Sequence, residues 1–236
     1  MSAETCVEMW VDARRGGARR RRNVLLADEM GLGKTAQVVA ALATLRESHP
    51  RGPSLVVAPL STIGHWSREF ATWTDLRVLT LHGSADDRKV MLKHMWHAPA
   101  AGGGGGGGGK RGKRGGGGYL FHVVVTTYET LLLEASSLGS VRWNYAIVDE
   151  AQRLKNLESR ARAAVEELRY EQVALLTGTP VQNCTAELFS LLNLLEPNKF
   201  ANADDFDQRF GDVTTPEQAR RRLLRRRWAL LPWLLS

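Results

Sequence analysis

Gly31, Gly33, Lys34 and Thr35 form a short segment whose residue types suit the binding of a nucleotide's phosphate groups. The two glycines let the backbone turn tightly and approach an anion, because no Cβ stands in the way. Lys34 would reach the terminal phosphates, and the Thr35 hydroxyl would be a ligand of Mg²⁺. The strict pattern of such loops begins with another glycine, where this chain has Asp28, so the segment alone also fits an ordinary turn.

Asp149 and Glu150 are a second pair of residues that could do chemistry, because they directly follow a short apolar run. Asp149 is suited to hold Mg²⁺, directly or through water, and Glu150 is suited to orient or deprotonate an attacking water molecule. A simpler alternative is that the two acids stabilise the N-terminus of a following helix. With a phosphate-binding segment upstream, the catalytic interpretation is favoured.

Thr177 and Thr179 flank Gly178 at the end of a third apolar run. Their hydroxyl groups could bond to the acidic pair and respond to the loss of a phosphate. Alone, this segment would be an ordinary turn that follows a strand.

Apolar runs alternate with helical patterns along the chain, which predicts an α/β fold with a mostly parallel sheet flanked by helices. In such sheets ligands bind at the carboxyl ends of the strands, where all three segments fall. The predicted strands are residues 23–27, 54–58, 77–82, 121–126, 144–148 and 172–177. The predicted helices are residues 34–47, 62–72, 86–96, 128–136, 158–170, 186–195, 203–210 and 216–227.

The net charge of +7 is unevenly distributed. Half of the 32 Lys and Arg residues fall in three windows without acids, residues 14–22, 110–114 and 220–227, so the rest of the chain is net acidic. Such clusters can bind nucleic-acid phosphates, although residues 19–22 fit a solvated tail equally well. For residues 220–227 a helix packed across the domain is favoured over a DNA site.

Composition is typical of an intracellular domain with a real core, since 43% of the residues are hydrophobic. No apolar run approaches the ~20 residues that span a membrane, and the N-terminus lacks the apolar core of a signal peptide. Two cysteines are too few for a disulfide framework or a zinc site, and the histidines show no ligand spacing. Trp66, Trp73 and Trp143 are expected to be packing residues.

Residues 101–118 are a glycine-rich insert with a basic centre. Burial of such a flexible chain would cost too much conformational entropy, so a disordered surface loop is predicted. The insert could touch DNA or RNA, or act as a localisation signal. Neutral expansion of a tolerated loop is the favoured interpretation.

Three segments of the chain resemble motifs I, II and III of the Swi/Snf-related ATPases, which are DNA translocases of helicase superfamily 2. These segments are residues 27–35, 149–156 and 176–183. Residues 58–62 with Trp66 resemble motif Ia, and residues 126–129 resemble the next DNA-contacting motif. Residues 59–70, 73–84 and 210–218 look most like the chromodomain-helicase-DNA-binding (CHD) class. The resemblance extends from about residue 23 to residue 227, interrupted by the insert.

The resemblance implies a RecA-like P-loop domain that uses ATP and Mg²⁺, with double-stranded DNA and nucleosomes as partners and the nucleus as its location. The implied nucleotide contacts are Asp28, Glu29, Met30, Gly31, Leu32, Gly33, Lys34 and Thr35. The implied catalytic residues are Lys34, Asp149, Glu150 and Gln152, with Thr35 and Asp149 on the metal. The implied DNA contacts are Ser61, Thr62, Thr126, Thr127 and, more weakly, Lys155, and the implied coupling residues are Thr177, Gly178 and Thr179.

The chain departs from the family pattern at two points. Motif II usually ends in His, where this chain has Gln152, which can still hydrogen-bond to motif III but cannot be charged. The family also has an adenine-recognising Gln upstream of motif I, whereas this chain has no Gln before Gln37. Nucleotide binding is therefore expected to be weakened.

A length of 236 residues suits one or at most two domains. Residues 1–22 are expected to be a basic extension, residues 23–200 the first RecA-like lobe, and residues 201–236 C-terminal helices and a truncated tail. The second lobe, which supplies arginine fingers in the family, is expected to be missing, so the chain is interpreted as a weakly active fragment. The alternative is a catalytically incompetent nucleotide- or DNA-binding module. A metabolic P-loop kinase would leave residues 59–62 and 177–183 unexplained.

Overall fold

The computed structural model describes residues 23–27, 31–48, 52–97, 118–178 and 185–210. Within these ranges the strands are β1 (Val24–Ala27), β2 (Ser54–Ala58), β3 (Val78–Leu81), β4 (Val123–Thr127), β5 (Arg142–Val148) and β6 (Arg169–Thr177). They form one six-stranded sheet in the order β1-β6-β5-β2-β4-β3, and every neighbouring pair is parallel. The predicted parallel α/β fold is confirmed.

The described helices flank the sheet; the first six lie between successive strands and the last two follow β6. They are α1 (Lys34–Ser48), α2 (Leu60–Trp73), α3 (Ala85–His94), α4 (Tyr128–Leu133), α5 (Ala135–Gly139), α6 (Arg160–Glu166), α7 (Thr185–Leu195) and α8 (Ala203–Phe210), with a 3-10 helix at Ala151–Leu154. None of these helices is both long and apolar enough to cross a lipid bilayer.

Two separate hydrophobic clusters lie on the two faces of the sheet. Successive strand residues point to opposite faces, so Leu25 belongs to one cluster and Leu26 to the other. The cluster with Leu26 includes residues of α1 and α2, such as Leu42 and Phe70. The cluster with Leu25 includes residues of α4, α6 and α7. Helices therefore cover both faces, and each strand is buried between them.

The strand register brings the loops after β1, β5 and β6 to the same edge of the sheet. Ala27 pairs with Thr177 at the ends of β1 and β6, and Val148 at the end of β5 pairs with Leu175. On its other side Val148 pairs with Val57 of β2. The three segments with candidate chemistry therefore meet at the carboxyl edge.

Two predicted helices differ most from the structure, whereas the bounds of the other described helices agree with the prediction to within two residues. The helix predicted at residues 128–136 divides at Glu134, whose carboxylate accepts a hydrogen bond from Arg88 Nε at 2.8 Å. The helix predicted at residues 158–170 ends at Glu166, because Arg169 and the residues after it pair with β5 instead. Ladder hydrogen bonds have overridden local helix preference there. The basic extension at residues 1–22, the insert up to residue 117 and the helix predicted at residues 216–227 lie outside the described residues.

The tryptophans differ from one another in burial. Trp66 and Trp143 are fully buried, as expected of packing residues. The same expectation for Trp73 is wrong, since 67% of this residue is exposed at the end of α2. Its indole N–H donates to Glu69 Oε2 at 2.9 Å on the helix surface.

Residues on either side of the insert are joined by an isolated antiparallel bridge between His97 and Tyr119. The rings of these two residues stack with centroids 5.2 Å apart, and Tyr119 also contacts Phe121 at 5.2 Å. The bridge lies at the amino end of β4, on the opposite edge of the sheet from the loops with candidate chemistry.

Glu150 has a left-handed backbone, with φ 53° and ψ 49°. Among the described residues it is the one non-glycine with positive φ. For a residue with a side chain this conformation costs roughly 1–2 kcal/mol, so the surrounding structure must hold it there.

At position 150 we expect the glycine variant to be more stable than the alanine variant, which is the reverse of the order usual in helices. Glu150→Gly should have a free energy of unfolding about 1 kcal/mol above that of Glu150→Ala, because only the alanine variant keeps the left-handed strain. Urea denaturation of both variants measures the difference. In the last turn of α2, the exposed Ala71 gives the control variant Ala71→Gly, which should lower stability by up to about 1 kcal/mol. If alanine were more stable than glycine at both positions, residue 150 would not be held in the left-handed region.

Candidate active site

Residues 31–33, before α1, have a backbone that suits an anion-binding turn. Gly31 and Gly33 both have left-handed backbones, with φ of 86° and 74°, and both are exposed. α1 begins at Lys34 and has no acidic residue in its own first turn, where a positive dipole end favours an anion. Lys34 and Thr35 are half-buried in this first turn. Asp28, Glu29 and Met30 lie outside the described residues.

Gln37 fixes this turn from within α1. Its side-chain Nε2 donates to the carbonyl oxygen of Leu32 at 3.2 Å. Its backbone N–H donates to the carbonyl oxygen of Gly33 at 3.0 Å. Only 8% of Gln37 is exposed. The sequence analysis assigned no role in the site to Gln37 and noted only that no other Gln precedes it. The structure shows that it holds the glycine turn against the helix.

Asp149 lies directly after β5 and both of its carboxylate oxygens accept hydrogen bonds. Oδ2 accepts from the indole Nε1 of Trp66 at 2.9 Å, and Oδ1 accepts from the backbone N–H of Glu150 at 3.0 Å. Burial raises the pKa of this carboxyl, while the indole hydrogen bond and the positive charge of Lys34 oppose the shift. The strand register places this acidic pair at the same edge of the sheet as the glycine turn.

Tyr128 holds the main chain of the acidic pair. Its hydroxyl donates to the carbonyl oxygen of Asp149 at 2.6 Å and lies 3.4 Å from that of Glu150. Burial raises the pKa of the phenol well above its usual value, so the hydroxyl keeps its proton and remains a donor. The guanidinium of Arg153 lies 5.7 Å from the centre of the ring.

A chain of side-chain hydrogen bonds joins Glu150 to the end of β6. The amide nitrogen of Gln152 donates to Glu150 Oε2, and the Thr177 hydroxyl donates to the amide oxygen of Gln152 at 2.9 Å. The hydrogen bond expected between Gln152 and the third segment is therefore present. Gly178 follows, half-buried, and Thr179 lies outside the described residues. An amide can donate and accept at once, so a neutral side chain makes this link.

The oxygen donors present fit Mg²⁺ shared with a nucleotide. Mg²⁺ takes oxygen ligands and is commonly bound through one or two carboxylates together with substrate phosphates. Asp149 supplies such a carboxylate, and the hydroxyl of Thr35 could supply a second oxygen from the helix terminus. Across the described residues there is no group of three or more His, Cys, Asp or Glu that could hold a metal ion. The donor set therefore suits a metal that also binds phosphates.

The predicted DNA contacts differ in accessibility. Ser61 is exposed and Thr62 is half-buried, both in the first turn of α2, and the Thr62 hydroxyl donates to the carbonyl oxygen of Pro59 at 3.0 Å. Lys155 is also exposed, but its ammonium group lies 2.7 Å from Glu187 Oε1 of α7. A DNA phosphate at Lys155 would therefore compete with this carboxylate.

Thr126 and Thr127 are buried, with only 0% and 2% of each exposed. The Thr126 hydroxyl donates to the carbonyl oxygen of Leu81 at 2.9 Å. The Thr127 hydroxyl caps α4, accepting from the backbone N–H of Thr130 at 2.9 Å. Both hydroxyl groups thus have internal partners, which argues against direct phosphate contacts by these side chains.

Trp66 and Tyr128 are site residues that sequence reasoning did not assign. Trp66 was expected to be a packing residue, and Tyr128 was only part of a DNA-contacting segment. A signal was available, because a buried indole or phenol usually finds a hydrogen-bond partner. The identity of that partner depends on the tertiary fold and could not be inferred from the sequence.

Comparisons with known proteins agree with the fold. The family model of the SNF2-related domain matches residues 5–231. The chain is 41% identical over 201 residues to chromodomain-helicase-DNA-binding protein 9 of Homo sapiens, covering 85% of this chain and 7% of that protein. It is 42% identical over 202 residues to chromodomain-helicase-DNA-binding protein 6 of Mus musculus, with the same shares.

A solved structure is also similar, the Sulfolobus solfataricus SWI2/SNF2 ATPase core in complex with dsDNA. The two superimpose with a TM-score of 0.69 at 26% sequence identity, covering 99% of this chain and 43% of that chain. The chain thus spans a small part of the curated relatives and less than half of the solved ATPase core. Because the family model, the sequence relatives and the solved structure agree, the chain belongs to the SNF2-related domain family and is an ATPase domain related to the chromodomain-helicase-DNA-binding proteins.

Proposed function

We propose that this chain is the ATP-binding lobe of a DNA-dependent ATPase that moves along the DNA of nucleosomes. The observation that carries the proposal is the convergence of Lys34, Asp149 and Glu150 at one edge of the sheet, beside a glycine turn. Family membership supports ATP as the nucleotide. Nuclear localisation is part of the proposal, because chromatin is the substrate.

Each residue at this edge has a distinct role in the proposed reaction. The N-terminus of α1 and Lys34 bind the phosphates, and Asp149 and Thr35 would hold Mg²⁺, which would neutralise charge on the phosphates. Glu150 orients the attacking water, and its carboxylate is held in turn by Gln152. The hydrogen bond between Gln152 and Thr177 connects this carboxylate to the end of β6. Loss of a phosphate beside Glu150 can therefore affect the segment that follows β6.

Double-stranded DNA is the proposed partner of the surface around α2. The similar solved structure is an ATPase core in complex with dsDNA. Ser61 and Thr62 are the accessible candidates there for contacts with phosphates. Lys155, beside Glu187 of α7, is a weaker candidate outside that surface. Such contacts position a protein on the duplex without reading its sequence.

Replacement of Lys34 tests the nucleotide site. Lys34→Ala should weaken Mg²⁺-ADP binding by roughly 10- to 100-fold, because a charge-assisted hydrogen bond contributes about 1.5–3 kcal/mol. Titration calorimetry on the 236-residue chain measures the affinity. Equal affinity of wild type and Lys34→Ala would exclude the phosphate-binding assignment.

Glu150→Gln is the matched variant for the chemical step. It should retain nucleotide binding, because the change keeps the size and removes the charge that activates water, while hydrolysis of ATP falls to background. Slow hydrolysis is expected of the 236-residue chain, since an arginine finger contributes about 10³–10⁵-fold in rate and the proposed lobe does not itself supply one. Nucleotide binding without any hydrolysis by the wild type would favour the alternative of a binding module.

The salt dependence of DNA affinity tests the proposed DNA surface. Removal of one phosphate-neutralising lysine should reduce the slope of log affinity against log salt concentration by about 0.9. We expect this change for Lys155→Ala, whereas Ser61→Ala should weaken binding without changing the slope, because a hydroxyl releases no counterion. Fluorescence anisotropy with a labelled duplex measures both quantities.

Lys199→Ala is the control for Lys155→Ala. Lys199 is also paired with a glutamate, Glu196, at 3.4 Å, but it follows the far end of α7. Its replacement should leave both affinity and slope unchanged. An equal loss of slope at both lysines would indicate general attraction to DNA rather than a defined surface.

A further inference from the structure

Asp149 is held from both faces of the sheet by aromatic side chains. Trp66 belongs to the hydrophobic cluster on the face that α1 and α2 cover, and Tyr128 belongs to the cluster on the opposite face. Each directs a hydrogen-bond donor to the end of β5. The two bonds differ in target, because Tyr128 donates to the main-chain carbonyl of Asp149 whereas Trp66 donates to the side-chain carboxylate.

The hydrogen bond from Tyr128 fixes the main chain of Asp149, which the sheet already constrains. The backbone N–H of Asp149 donates to the carbonyl oxygen of Val57 at 2.8 Å, so the sheet ladder continues to this residue. Rotation of the carboxylate leaves both main-chain bonds intact. The orientation of the carboxylate therefore depends on the indole of Trp66 and on the N–H of Glu150.

The Trp66 bond connects the carboxylate to a helix with an accessible end. The Trp66 side chain is fully buried, so its indole N–H would lose its partner if α2 moved away from Asp149. α2 is continuous from Leu60 to Trp73, and Ser61 is exposed in its first turn. With a rise of 1.5 Å per residue, Ser61 and Trp66 lie roughly 7–8 Å apart along the helix axis. About one and a half helical turns separate the two residues, so a displacement of the first turn would also displace the indole.

We propose that Trp66 is a positioning residue that couples the occupancy of the DNA surface at the start of α2 to the orientation of the Asp149 carboxylate. The inference rests on the proposed function, since it needs a nucleotide at Asp149 and DNA at Ser61 and Thr62. Outer hydrogen bonds of this kind orient metal-binding carboxylates. DNA bound at α2 then changes nucleotide affinity, and nucleotide changes DNA affinity by the same factor.

Reciprocal titrations measure this coupling directly in the 236-residue chain. The affinity for Mg²⁺-ADP is determined with and without a saturating short duplex, and the affinity for the duplex with and without Mg²⁺-ADP. In the wild type we expect a coupling factor of about fivefold or more. Trp66→Phe should bring the factor to about one while each ligand alone still binds, because the aromatic ring remains and only the indole donor is lost.

A matched variant separates this effect from general damage. Trp143 is equally buried, and its indole N–H donates to the carbonyl oxygen of Leu138 at 3.0 Å, so Trp143→Phe makes the same chemical change away from Asp149. This variant should keep the wild-type coupling factor. If it loses the coupling to the same extent as Trp66→Phe, the effect is structural and the inference is overturned.

A spectroscopic measurement tests the inference in the unaltered chain. In ¹⁵N–¹H correlation spectra, the indole resonance of Trp66, assigned by its connectivities in the wild type, should move when Mg²⁺-ADP is added and again when the duplex is added. The indole resonance of Trp143 should stay in place. A Trp66 resonance that responds to neither ligand would overturn the inference even if Trp66→Phe failed to fold.

The outcomes distinguish the inference from the proposed function. If the wild type binds both ligands with a coupling factor of one, or if Trp66→Phe keeps the wild-type factor, the inference fails and the proposed function stands. If the wild type binds neither Mg²⁺-ADP nor the duplex, the proposed function fails and the inference fails with it.

Discussion

Parallel strand direction is the constraint on which this domain depends. Because β1, β5 and β6 run the same way, the register that pairs Ala27 with Thr177 and Val148 with Leu175 brings three distant parts of the chain to one edge. No local preference of these segments could bring them together. The helices on both faces bury the strands, and this burial leaves the edge with the glycine turn, the acidic pair and Thr177 as the place for polar chemistry.

At that edge the fold partly buries the carboxyl group of Asp149. Polar groups from the surrounding elements compensate for the loss of contact with water. Burial opposes ionisation of Asp149, and the indole of Trp66, the N–H of Glu150 and the charge of Lys34 favour it. The left-handed backbone at Glu150 turns the chain sharply after β5, and Gln152 holds the carboxylate that follows. Backbone strain and side-chain hydrogen bonds therefore occur together at Glu150 and Gln152. Such strain is common at functional sites.

Much of this architecture could be predicted from the sequence, because apolar periodicity and glycine-lysine-threonine spacing are local signals. β2 and α8 have the predicted bounds, whereas the helix predicted at residues 158–170 is shorter because pairing with β5 is a long-range interaction. The predicted DNA contacts also differ according to whether a local signal or the tertiary fold decides their exposure. The exposure of Ser61 agrees with its predicted role, but the burial of the Thr126 and Thr127 hydroxyls follows from their position in a central strand. The partners of Trp66 and Tyr128 also depend on topology, so a motif could not reveal them.

The bridge between His97 and Tyr119 fixes the two points at which any connecting chain leaves and rejoins the domain. Once two ends are held together, the entropy of closing the loop grows only with the logarithm of its length, about 0.6 kcal/mol for each doubling. Added glycines between these points therefore have little thermodynamic consequence for the sheet. Because the bridge lies at the amino end of β4, the domain can accept additional sequence, including a reporter inserted by an experimenter, on the side remote from its reactive edge.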